Sequence, residues 1–114
     1  MIKVFIAFPF SQIIDPDTRK IDCRHFNFLN NLRETLINHN YDVFLAHYRE
    51  KWGKELMSPQ ECTYDDFQQM KDSDLVLAFP GSPISGGVHI ELGWASTLNK
   101  EILFFYIKIL NTPR

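Results

Sequence analysis

Apolar residues come in two rhythms along this chain. Lys3 to Phe10 (KVFIAFPF) is a continuous β-branched and aromatic run closed by Pro9, and it predicts a strand buried on both faces. Asp42–Ala46 (DVFLA), Asp74–Phe79 (DLVLAF) and Glu101–Lys108 predict three more strands. Between them the spacing turns helical. Phe26, Leu29, Leu32, Leu36 and Ile37 recur on one face of a helix over about Cys23–Asn40, with Asn40 as its stop. A second helix is expected from an N-cap at Thr63, with Asp65 and Asp66 in its first turn, Phe67 and Met70 inward, and an end near Ser73. A third runs from about Val88 to Leu98, broken by Asn99-Lys100. His47–Gln60, holding Trp52, Gly53 and Pro59, is expected to be a loop with at most one helical turn.

Strands alternating with helices predict an α/β fold: a doubly wound, flavodoxin-like (Rossmann-like) parallel sheet in the order 2-1-3-4 with helices on both faces. Such sheets bind ligands beyond the carboxyl ends of their strands, where the winding reverses. That rule points to the three polar loops Phe8–Arg24, His47–Glu61 and Pro80–Glu91.

A length of 114 residues fits a single domain, 1–114, and the 45% apolar share is enough for a core. The formal charge of −2 argues against a basic face for nucleic acid polymers. Cys23 and Cys62 form no metal or redox spacing and are expected as two reduced, partly buried thiols. Without a leader-like N-terminus or an apolar run long enough to span a bilayer, a soluble cytoplasmic protein is expected, with no membrane partner. No metal motif or hydrolase nucleophile elbow is present, so neither a metal nor a cofactor is expected.

The chemistry concentrates in Ser85-Gly86-Gly87-Val88-His89-Ile90-Glu91. Small residues opening a helix let backbone amides approach an anion, to which Ser85 adds a hydroxyl; a tight turn with a serine cap explains the spacing equally well. Glu91 lies one turn further on, and Asp66 lies at the same end of the sheet. Taken singly, each could be an acid that complements a helix dipole. As a pair facing one cleft, they have what glycosidic cleavage needs: one carboxylate for the anomeric carbon and one for protons. Phe10, beyond Pro9, could stack on a base, whereas Phe8 reads as core. His47, Arg49 and Trp52 could contact base or sugar, or simply form a surface loop around one packed tryptophan. Tyr64 and Trp94 are expected to pack.

The runs Asp66–Val76 and Gly87–Ala95 resemble the nucleoside 2-deoxyribosyltransferase superfamily. So do Pro9-Phe10, Gln12, Asp15-Pro16-x-Thr18, Ala46-His47-x-Arg49-Glu50-x-Trp52-Gly53, Ser58-Pro59 and Ala78-Phe79-Pro80-Gly81-x-Pro83-x-Ser85. Within that superfamily the sequence is most similar to the cytidine 5′-monophosphate hydrolases of mildiomycin and blasticidin biosynthesis. The resemblance implies Glu91 as nucleophile, Asp66 as supporting acid and Phe10 in the base pocket. It also implies a 5′-monophosphate substrate, because hydrolases carry a serine at the Ser85 position where transferases tend to carry an acid that would repel a dianion. Members commonly continue past the fourth strand and dimerise. A homodimer is therefore expected, with the sequence either short or its site completed by a neighbouring subunit. The expected activity is nucleotide N-glycoside hydrolysis, CMP favoured. Deoxyribosyl transfer and a non-catalytic nucleotide-binding module are the alternatives.

Overall fold

The structure, a computed structural model, describes residues 1–9, 23–53, 55, 57–81 and 86–105. Four strands, β1 (Lys3–Ala7), β2 (Asp42–Leu45), β3 (Leu75–Ala78) and β4 (Glu101–Phe104), form one parallel sheet in the order β2-β1-β3-β4. Register pairs Phe5 with Phe44 and Val76, and Val76 with Ile102. The expected order and the α/β class are what the chain adopts.

Alternation along β1 sorts the core into two layers. Val4, Ile6 and Phe8 face one way, toward Leu29, Phe28, Leu32 and Leu36 of α1 (Cys23–Asn38). Phe5 and Ala7 face the other way, onto Met70 of α3 (Pro59–Asp72) and Val88 and Ala95 of α4 (Gly86–Thr97). Helices thus cover both faces, and β1, buried throughout its apolar length, is the centre that holds the two layers together.

Asparagine ends two helices by the same device. Asn40 (φ 67°) and Asn99 (φ 57°) adopt the left-handed conformation that ends helices. Around Asn40, the Tyr41 amide returns to Leu36 O (3.1 Å) and the Asn40 amide to Ile37 O (3.0 Å). Lys100 to Ala95 O (2.9 Å) and Asn99 to Ser96 O (3.2 Å) repeat the pattern after α4.

The region after β2 matches expectation in part. Ala46–Arg49 forms the expected single helical turn, α2, and a 3-10 turn over Lys51–Gly53 is added to it. Helix α3 then begins at Pro59 rather than after Thr63. Ser58 is its N-cap: its hydroxyl accepts from the Glu61 amide at 3.2 Å and donates to the Glu61 carboxylate at 2.8 Å. Ser-Pro-x-Glu carries both a capping box and a proline at the first helical position, a stronger start than a lone threonine. Asp65 and Asp66 therefore lie in the second turn of α3, where no free amides remain for them to cap.

Smaller corrections concern packing. Tyr64 is 70% exposed rather than packed, whereas Trp94 meets Phe67 edge to face at 5.2 Å. Cys23 is exposed and only Cys62 is partly buried. Among the described residues, no helix is long and apolar enough to cross a membrane.

Candidate active site

Helices α3 and α4 each start at the carboxyl end of the sheet, because each follows a strand that runs in that direction. Their first two turns, the ends of β1 and the segment after β2 enclose a cavity of about 340 Å³. Ile6 and Phe8 form its apolar floor, with Val88 beside them. His47 and Arg49 enter from α2 and Glu50 from the residue that caps its end, Cys62 and Asp66 from α3, and Gly87 and Glu91 from α4. It lies at the reversal between β1 and β3, where the winding rule places ligands.

Both carboxylates singled out in the sequence therefore face one cavity. Burial pushes the Glu91 carboxyl up to about 8; the negative charge of Asp66 adds to the rise and Arg49 opposes it. The residue keeps some surface at the cavity mouth, but its acid group is withdrawn from solvent. Asp66 is also raised, first by burial and then by Glu50 and Asp65, against the hydrogen bond and charge of Arg49. Glu91, desolvated and beside the charge of Asp66, therefore keeps its proton to a higher pH than an exposed glutamate.

Arg49 is the cation at the centre of the acids. Its Nη1 donates to Asp65 Oδ2 (2.7 Å) and Asp66 Oδ1 (2.6 Å), and its Nη2 to Glu50 Oε2 (3.3 Å) and Cys62 Sγ (3.3 Å). Its guanidinium also lies over the Phe44 ring, 5.3 Å from the centroid. Burial opposes its charge, but the bonds to Asp65 and Asp66 outweigh that and hold it protonated.

Glu50 is the residue that reading the sequence for chemistry passed over. It is 3% exposed, and its Oε1 accepts from the Met57 amide (2.9 Å) and the Cys62 thiol (3.3 Å). Burial and the Glu50 hydrogen bond push that thiol up to about 12. The only available signal was Glu50's place beside Arg49 in the Ala-His-x-Arg-Glu-x-Trp-Gly run. The corner after Glu50 is strained, with Lys51 (φ 51°) and Trp52 (φ 59°) both left-handed and neither a glycine. Trp52 pins it by packing edge to face on Phe26 of α1 at 4.7 Å.

His47 lines the cavity from a buried position, with a ring nitrogen 3.3 Å from Pro9 O. Burial lowers it to about 3, so it is neutral, with His25 and Arg49 opposing its charge further. Gly86 and Gly87 form the first turn of α4; Gly87 lines the cavity, and a Cβ built on Gly86 would meet nothing within 4 Å among the described residues. Packing therefore does not demand glycine at Gly86. Phe10 and Ser85 lie outside the described residues. Among the described residues, no group of three His, Cys, Asp or Glu side chains is gathered to hold a metal ion.

Fold and cavity together define an α/β domain with an acidic pair at the sheet's switch point. No family model and no curated protein matches the sequence. Solved structures do. The CMP N-glycosidase BcmB of Clostridium botulinum is 30% identical over 91% of this chain and 71% of its own, with a TM-score of 0.68. BlsM is 36% identical over 90% of this chain and 63% of its own, with a TM-score of 0.76. A 2-deoxyribosyltransferase from Leishmania mexicana shares the fold at a TM-score of 0.70 and 17% identity, over 93% of this chain and 65% of its own. The chain belongs to the nucleoside 2-deoxyribosyltransferase superfamily.

Proposed function

We propose that the protein is a nucleoside 5′-monophosphate N-glycosidase, with CMP the favoured substrate, acting as a homodimer in the cytoplasm. The observation that carries this reading is the convergence of Asp66 and Glu91 on one cavity that the first turn of α4 also lines. The similarity to a structure named as a CMP N-glycosidase supports the choice of substrate.

The acid pair suits a two-step, retaining reaction. One oxygen of Glu91 bonds to C1′ as the bond from C1′ to the base nitrogen breaks. The electron pair leaves with the base, which takes a proton from Asp66. Water then attacks C1′, gives its proton to Asp66, and its hydroxyl displaces Glu91 as carboxylate, leaving ribose 5-phosphate. The first step needs Glu91 charged and Asp66 protonated, so the proton that burial places on Glu91 in the free site passes to Asp66 when substrate binds. The second step starts with Glu91 esterified and Asp66 as the carboxylate that the first step leaves. Negative charge beside the sugar stabilises the oxocarbenium-like transition state. Ser85 and the amides of Gly86 and Gly87 hold the 5′-phosphate at the N-terminus of α4, where the helix dipole favours an anion. Phe10 packs on the base, and neutral His47 lines the wall.

Incubation with CMP should release free cytosine on chromatography, and Glu91→Ala should abolish it; release that survives the substitution removes Glu91 from its role. Ser85→Asp should weaken monophosphates far more than nucleosides, and equal effects on both would refute the phosphate assignment. Adding a second free base tests transfer: a new nucleoside in place of ribose 5-phosphate would make the protein a deoxyribosyltransferase-type enzyme. Nucleotide binding without turnover would make it a binding module.

A further inference from the structure

Arg49 lines the cavity, and a cavity arginine is an obvious ligand for a nucleotide. Its hydrogen bonds argue otherwise. The two terminal nitrogens carry four N–H groups, and these meet four acceptors: Asp65, Asp66, Glu50 and Cys62. To bind substrate through those nitrogens, Arg49 would have to abandon charge-assisted bonds and leave carboxylates desolvated without a counter-charge.

Glu50 fixes the far side of the guanidinium. It is buried at the end of the short helix after β2, and its second oxygen is tied to the Met57 amide and the Cys62 thiol. A continuous chain therefore runs from the segment ahead of α3, through Glu50 and Arg49, to the Asp66 carboxylate that faces the cavity with Glu91. The Nε–H of Arg49 is buried and has no hydrogen-bond partner among the described residues, but the terminal nitrogens are fully engaged. We infer that Arg49, braced by Glu50, is a positioning residue that orients Asp66 and balances its charge, and does not bind the substrate through its terminal nitrogens. This rests on the reading of Asp66 and Glu91 as the working pair.

The charged and titratable groups around the guanidinium are His47 from α2, Glu50 just after it, Cys62, Asp65 and Asp66 from α3, and Glu91 from α4. Arg49 favours the ionised form of both Asp66 and Glu91. Removing its charge should therefore raise the pH at which the acid pair titrates.

The test uses the whole chain with Arg49→Gln, Arg49→Lys and Glu50→Gln. Carboxyl carbon NMR titration of Asp66 and Glu91 is made without substrate, and KM and kcat are measured on CMP. Arg49→Gln should move the acid pair's titration upward and lower kcat by about 10²-fold, with KM changed less than about threefold. Arg49→Lys should recover part of both losses, and Glu50→Gln should shift both readouts in the same direction by less. A rise in KM with kcat and the titrations unmoved would overturn the inference and make Arg49 a substrate ligand. No change in either readout would reduce the network to a structural ion pair and overturn it as well. If Arg49→Gln fails to fold, adding Asp65→Asn removes the surplus buried charge and keeps the comparison available. If wild type releases no base from any monophosphate, the proposed function fails. The titrations then decide the positioning role: an upward move supports it, and a fixed value overturns it.

Discussion

Replacing Glu91 by glutamine should stabilise the protein, and increasingly so as pH rises. Burial pushes the carboxyl up to about 8 in the folded chain, against 4.5 for an unperturbed glutamate. Between those values the native state binds a proton that the unfolded chain has lost, so stability falls as pH rises. Summed from ~pH 5 to ~pH 9, that single group costs the wild type on the order of 4 kcal/mol, a ceiling set by the raised value of about 8. Asp66 is raised as well and acts with the same sign, and losing the Glu91 charge also relieves Asp66. Urea unfolding of wild type and Glu91→Gln at ~pH 5, ~7 and ~9 measures the difference. The two should nearly coincide at the acid end and separate steadily toward the alkaline end. In thermal melts each kcal/mol corresponds to roughly 4–8 °C for a domain of this size. A gap that stays constant across the three pH values would mean the carboxyl is not desolvated in the folded protein, and the acid-pair reasoning would fall with it. The measurement needs no substrate, so it separates the electrostatics of the site from the identity of its ligand.

Three further outcomes follow from the same geometry. The kcat/KM for base release should fall as pH rises through about 8, where the pair loses its last proton, and a profile flat well above that would refute the need for that proton. Ser58→Ala should cost about 1 kcal/mol in denaturant unfolding, because it removes the cap of α3; a neutral result would show that Pro59 alone starts the helix. Iodoacetamide near neutral pH should label exposed Cys23 well before Cys62, whose thiol is pushed up to about 12. Mass spectrometry of the peptides reads the order, and equal rates would show that the bond from Cys62 to Glu50 is not held.

The sheet was legible because its signals are local and redundant. Four apolar runs, asparagine stops and helical spacing over residues 23–38 each point to the same elements. The convergence of Asp66 and Glu91 was legible for a topological reason: both follow strands that end on the same side. The segment after β2 was legible only in part, because its conformation is set by distant partners. Lys51 and Trp52 take left-handed backbone angles that no propensity favours, and what fixes them is the Trp52 ring against Phe26 of α1, 26 residues earlier. The start of α3 was misplaced by reading Thr63 as a cap and overlooking Ser58-Pro59-x-Glu61, a signal that was present. Glu50 shows a different kind of opacity. Its role depends on its neighbour Arg49 and on two partners from later segments, Met57 and Cys62, and nothing about a glutamate beside an arginine announces burial.

The early start of α3 has a consequence for how this domain comes apart. Asp65 and Asp66 sit where their own helix offers them no compensating amide, so the charge that tolerates them arrives from Arg49 on a neighbouring segment. Peeling that segment away would strand several acids together in a poorly hydrated place. The wall of the cavity and the helix beside it should therefore loosen as one cooperative unit, seen in hydrogen exchange as matched opening of residues 46–50 and 62–66.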